Sequence, residues 1–324
     1  MDQPTLLRWE TLTKRRFDQL DRDRCVVMVT CSPLEVHGPH LPLGADALEG
    51  EGLAIRMLRF LPSPHRARTF LQLPFIYAAT DTLPHAGSLF FRPSTTMAVL
   101  EDLGRSLAAQ GFRDVVVSNF HGSPRHFLSI ERACDRVSRE RGIRMVCIFS
   151  VLLSRLTGGS SELYDVLGQL PGVQREDLVG DTHGGLVETA QLLALHPEWV
   201  ERDYATLPRR TVNMWLAEQG EAPAEIERGQ PAGVRTMVRA FRGALRFFRA
   251  ETYAGAPAAA SPELGERILD RLATEAAVAL AEILDGQLPP ESWHSPLWSR
   301  RFLFTNWFMV RFFNRLLHIP DGVA

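Results

Sequence analysis

Two imidazoles and two carboxylates fall within the stretch Glu35-Val36-His37-Gly38-Pro39-His40-Leu41-Pro42-Leu43-Gly44-Ala45-Asp46. Glu35 and His37 stand two apart, so in an extended segment both side chains point to one face and can grip one cation or two adjacent ones. Asp46 can bridge such a pair, because a carboxylate has two oxygens. Two later polar clusters, Asn119-Phe120-His121-Gly122-Ser123 and Asp181-Thr182-His183-Gly184-Gly185-Leu186-Val187-Glu188, bring His121, His183 and Glu188 to the ends of other elements. The neighbouring glycines permit close backbone approach or unusual dihedrals. Imidazole combined with carboxylate suits Zn²⁺, Mn²⁺ or Fe²⁺. An incompletely filled shell leaves room for a water whose pKa is lowered toward ~7, a nucleophile at neutral pH. Taken singly, His40, His85 and His126 read as structural or exposed.

The elements that must carry these residues alternate between strand and helix. Cys25-Val26-Val27-Met28-Val29-Thr30-Cys31 is short, β-branched and bounded by polar residues, the pattern of a buried strand. The first cluster therefore lies just past a strand's carboxyl end, where open α/β sheets place their sites. Further strands are expected over 69–77, 114–119 and 144–149. Helices are expected over 5–20, 46–60 with Asp46 as N-cap, 94–110 capped by Ser94-Thr95-Thr96, and 126–141. Another opens at the third cluster and runs to about His196, residues 235–248 alternate bulk with arginine, and 263–284 has strong helical periodicity. A loop over 156–161 and a short helix over 162–167 separate the two halves. This rhythm predicts an α/β fold, a mainly parallel sheet flanked by helices.

The chain has 324 residues, 45% apolar and 23% charged, which is ordinary globular composition. With 36 Lys plus Arg against 38 Asp plus Glu, it lacks the global basic field that nucleic-acid binding relies on. Cys25, Cys31, Cys134 and Cys147 form no CxxC pair and are expected to be reduced, buried thiols. The N-terminus, Met1-Asp2-Gln3-Pro4, shows no secretory signal, so a cytoplasmic protein is expected.

The first cluster closely resembles the signature of the creatininase (creatinine amidohydrolase) family, and Asp181-Thr182-His183-Gly184-Gly185-Leu186-Val187-Glu188-Thr189 resembles its second. Order and spacing agree over most of the chain, from Trp9 to the 255–265 region. The resemblance implies an α/β sandwich, two divalent metal ions and hydrolysis of a carbon-nitrogen amide bond in a small cyclic amide or formamide. It implies metal ligation by Glu35, His37, Asp46 and His121, with Asp46 bridging. His183 would shuttle a proton, and Glu188 would be a further acidic group or ligand. A peptide-trimming role in cofactor maturation and a metal-binding module without catalysis are the alternatives. Two departures stand out. Creatininase has a carboxylate two residues after the histidine matching His121, where this chain has Ser123. The tryptophans that close over creatinine have no counterpart between Trp9 and Trp199, which argues against creatinine as substrate.

Residues 1–290 are thus expected to form the hydrolase domain and 291–324 an aromatic, basic extension. Its helix, expected over 297–317, would pack on its own domain, join subunits of a homo-oligomer, or lie peripherally on an anionic membrane.

Overall fold

The computed structural model describes residues 4–157, 167, 169–222 and 234–317. Strands β1 (Thr5–Arg8), β2 (Cys25–Thr30), β3 (Thr69–Gln72), β4 (Asp114–Ser118) and β5 (Arg144–Cys147) form one sheet in the order β1-β3-β2-β4-β5. Every pairing is parallel. This is the α/β architecture expected from the alternating pattern.

All six residues of the central strand β2 are buried. Side chains alternate across a strand, so Val26 and Met28 enter one core while Val27 and Val29 enter the other. Helices Ala45–Phe60, Leu186–Leu195 and Pro262–Leu284 cover the first face, contributing Leu53, Leu192 and Leu272. Helices Pro93–Ala109 and Pro124–Arg141 cover the second with Leu100, Leu107, Ile130 and Val137. Burial of each such side chain contributes about 1.5–3 kcal/mol. Two cores therefore clamp the strand ends from which the polar clusters emerge.

Several boundaries differ from expectation. Residues 5–20 do not form one helix. Thr5–Arg8 is an edge strand in register with Thr69–Gln72, because pairing with β3 overrides the local helical pattern. A short helix follows at Lys14–Asp18, capped by Thr13, and Trp9 packs on Phe17 and Phe112. β3 stops at Gln72, well before Tyr77, since Pro74 has no N–H for the ladder. β5 ends at Cys147 because the chain turns directly into helix Ile148–Thr157. Leu156 and Thr157 thus end a helix. The rest of the loop expected to Ser161, and the helix expected over 162–167 apart from Leu167, lie outside the described residues.

Capping is also redistributed. Gly44 precedes helix Ala45–Phe60 as its N-cap, which leaves the Asp46 carboxylate uncommitted in the first turn. Helix Pro93–Ala109 starts on proline after Arg92, and Thr96 instead donates to the Ala78 carbonyl at 2.9 Å. The four cysteines are free and buried, as expected.

Candidate metal centre

β2 and β4 are parallel neighbours, so the segments after them emerge side by side. Glu35 and His37 follow β2, and His121 follows β4. Asp46 enters from the first turn of helix Ala45–Phe60 and Glu188 from the first turn of Leu186–Leu195. The positive end of a helix dipole favours a carboxylate at both places. Glu35, His37, Asp46 and His121 are all buried.

The distances organise these groups around one carboxylate. His121 Nδ1 lies 3.4 Å from Asp46 Oδ2 and 3.1 Å from Glu35 Oε2. His37 Nε2 lies 3.5 Å from Asp46 Oδ1 and 3.7 Å from Glu188 Oε2. Asp46 therefore turns one oxygen toward each imidazole.

Backbone carbonyls fix the neutral tautomers, since a carbonyl accepts and the ring nitrogen facing it must donate. His37 Nδ1 donates to the Glu35 carbonyl at 3.0 Å and His121 Nε2 to the Thr80 carbonyl at 3.0 Å. The remaining lone pairs, on His37 Nε2 and His121 Nδ1, face carboxylate oxygens. Such an arrangement is repulsive unless a proton or cation lies between. Glu35 Oε2, His37 Nε2 and Asp46 Oδ2 are buried without a hydrogen-bond partner, a condition rare enough to require explanation. Ligand atoms gather within 4.8 Å in three sets: Glu35, Asp46 and His121; His37, Asp46 and Glu188; and Glu35, His37 and His183. The donor chemistry and orphaned atoms fit divalent cations of the transition series.

Second contacts hold the donors in place, as ligand-orienting hydrogen bonds do in metal sites. The Leu83 N–H donates to Glu35 Oε1 at 2.6 Å. His183 stacks on His37 with ring centroids 4.0 Å apart, and its Nε2 donates to the Val36 carbonyl at 2.7 Å. Glycine makes this approach possible. Gly184 has φ of 56°, and a Cβ there would sit 3.0 Å from the His37 carbonyl carbon. Asp181 wedges beside Gly185, where a Cβ would fall 1.7 Å from Oδ1, and accepts from the Leu186 and Val187 N–H groups. That carboxylate caps helix Leu186–Leu195 and so aims Glu188.

Electrostatics follow from burial and proximity. Burial opposes the His37 imidazolium, yet Asp46 and Glu188 beside it outweigh that cost and push its pKa up to about 10. For His121, burial is likewise outweighed by Glu35 and Asp46, and its pKa is raised well above the usual imidazole range. Burial pushes Glu188 up to about 7, despite the opposing His37. Burial also lowers His183 to about 4, assisted by the charge on His37, so His183 is neutral at pH 7.

The other histidines take structural positions. His40 is buried with Nε2 2.8 Å from the Thr189 hydroxyl, His126 donates to the Cys31 carbonyl at 2.9 Å, and His85 to the Phe248 carbonyl at 2.8 Å. Glu49 escaped the sequence reading. It is buried with both oxygens unpartnered, and burial, with Glu188 and Asp46 nearby, raises its pKa well above the carboxylate range. Its spacing of three from Asp46 on one helix was the available signal. Gln191, three residues after Glu188, is buried with both amide atoms unpartnered and shows the same periodicity.

Comparisons with known proteins bear on the fold and the family. No curated protein sequence matches the chain. Among solved structures, a creatininase described as the manganese form aligns with TM-score 0.56 and 20% identity, over 86% of this chain and 99% of that one. A zinc-zinc form of a creatininase mutant aligns with TM-score 0.57 and 19% identity, over 86% and 98%. A putative creatinine amidohydrolase from Bacteroides fragilis NCTC 9343 aligns with TM-score 0.55 and 19% identity, over 88% and 98%. Identities this low establish the shared fold. The creatininase family model, described as creatinine amidohydrolase, matches residues 10–280, and the chain therefore belongs to the creatininase family.

Proposed function

We propose that this protein is a metal-dependent amidohydrolase that cleaves the carbon-nitrogen bond of a small cyclic amide or a formamide. The observation that carries the reading is the Asp46 carboxylate, with one oxygen toward His37 and the other toward His121. Two divalent ions, zinc or manganese with iron as an alternative, would be held by His37, Asp46 and Glu188 on one side and by Glu35, Asp46 and His121 on the other. Such a pair supplies Lewis acidity toward the amide carbonyl and lowers the pKa of water.

The chain's own residues handle the proton. His183 Nε2 is committed to the Val36 carbonyl, so Nδ1 is the atom that can accept a proton and later deliver it to the leaving nitrogen. Stacking on His37 holds the ring in that orientation. Glu188, raised to about 7 by burial, is poised near neutrality beside His37. A homo-oligomer in the cytoplasm belongs to the same reading.

The test is metal analysis of protein purified without chelator, followed by a screen of cyclic amides and formamides with zinc, manganese or iron restored. Bound metal with metal-dependent amide hydrolysis is expected. A chain that neither holds nor takes up a transition metal overturns the reading.

A further inference from the structure

Helix Trp307–Leu317 buries a polar side chain while leaving much of its aromatic surface exposed. Its polar Asn314 is buried, with Oδ1 accepting from Arg125 Nη2 at 2.8 Å. Trp307 and Phe308, by contrast, are 67% and 66% exposed. Positions 307, 308, 311, 312 and 315 share one face at helical spacing, so Arg311 and Arg315 stand among Trp307, Phe308 and Phe312, all exposed. The Arg311 guanidinium lies 4.8 Å from the Trp307 ring centroid. The preceding helix, Arg301–Thr305, adds exposed Phe302 and Leu303.

The single helix expected over 297–317 is divided. After a 3₁₀ turn at Trp298–Arg300, Asn306 separates the two helices and its side chain accepts from the Phe308 and Met309 N–H groups, starting a new helix instead of continuing the old one. From Ser292 to Leu317 the sequence carries Arg300, Arg301, Arg311 and Arg315 and no acidic residue.

We propose that this face is a docking surface for an anionic membrane. Indole and phenyl rings partition into the boundary between headgroups and acyl chains, while arginines meet anionic headgroups. Among the described residues no helix is long and apolar enough to cross a membrane, so the contact is peripheral. A second copy is the poorer occupant. An isologous contact sets a patch against itself, bringing the arginines of two copies into one interface with no acidic residue in the segment to pair them. Charge complementarity selects a negatively charged surface.

Co-sedimentation of the full chain with vesicles tests the proposal, comparing phosphatidylcholine alone with phosphatidylcholine containing phosphatidylglycerol. Pelleting with the anionic vesicles only, weakened by added salt, is expected. Arg311→Glu/Arg315→Glu should weaken binding on the order of 10-fold or more. Trp307→Ala/Phe308→Ala should abolish it. Both pairs are exposed, so both variants should keep the parent melting temperature. Failure of the unaltered chain to pellet, or equal pelleting with both vesicle types, overturns the proposal. So does a subunit dissociation caused by Trp307→Ala/Phe308→Ala while vesicle binding persists, which would assign the face to a contact between copies.

Discussion

Arg125 donates to the Asp81 carboxylate at 3.0 Å and thereby fixes the turn that supports both halves of the candidate metal centre. Asp81 has φ of 60°, a left-handed conformation costly for a residue with a Cβ. The Thr80 carbonyl immediately before it orients His121, and the Leu83 N–H two residues after it binds Glu35. Ser123, the residue that stands where creatininase has a carboxylate, also donates to Asp81, at 3.0 Å. Arg125→Ala is expected to cost about 1–3 kcal/mol of stability through the lost charged hydrogen bonds. It should also lower the metal retained after dialysis. Unchanged melting and unchanged metal content would detach this turn from the centre.

Metal uptake should release protons. Without an ion, His37 titrates at about 10 and His121 well above its usual range, so both are imidazolium at pH 7. A cation requires the neutral rings. Apparent affinity is therefore expected to rise with pH between 6 and 9, by up to about tenfold per unit for each proton released. Calorimetric titration in buffers of different ionisation heat measures that release directly, and a buffer-independent heat would contradict it.

His183→Ala is expected to retain metal and to slow amide hydrolysis on the order of 10² to 10⁴-fold. Metal content and turnover are read on the same preparation. Loss of metal would make His183 a ligand in the set it forms with Glu35 and His37, and unimpaired turnover would give the proton to another group.

Acid should destabilise the fold through His126. Burial lowers its pKa to about 3, further depressed by His121, whereas an unfolded imidazole titrates near ~6.5. The folded group stays neutral, so its contribution is complete above ~6.5 and is lost as pH falls toward 3, because the unfolded chain binds the extra proton. Between pH 6.5 and 5 that loss is about 2 kcal/mol. Urea unfolding at pH 7 and pH 5 should show a smaller decline in His126→Asn than in the parent chain. An equal decline would place the acid sensitivity elsewhere.

Local spacing determined much of this protein. An apolar β-branched run is buried wherever it lands in a parallel sheet, so Cys25–Thr30 and Asp114–Ser118 were legible as strands. The clusters after them were legible from their imidazole and carboxylate types, and helix Pro262–Leu284 from its helical periodicity. Tertiary structure decided what depends on a distant partner. Thr5–Arg8 is a strand because β3 offers it a free edge, and nothing within four residues signals that. Asp46 could be a cap or a bridging group from its sequence position, and Gly44 taking the N-cap left both oxygens for His37 and His121. The Asp81 turn draws its hydrogen bonds from Ser123 and Arg125, more than forty positions away. That Asn314 of the last helix would be buried against Arg125 was likewise undetermined by the sequence. A buried guanidinium needs every available acceptor, and meeting that need ties the helix to the domain through Asn314 while Trp307, Phe308 and Phe312 stay exposed.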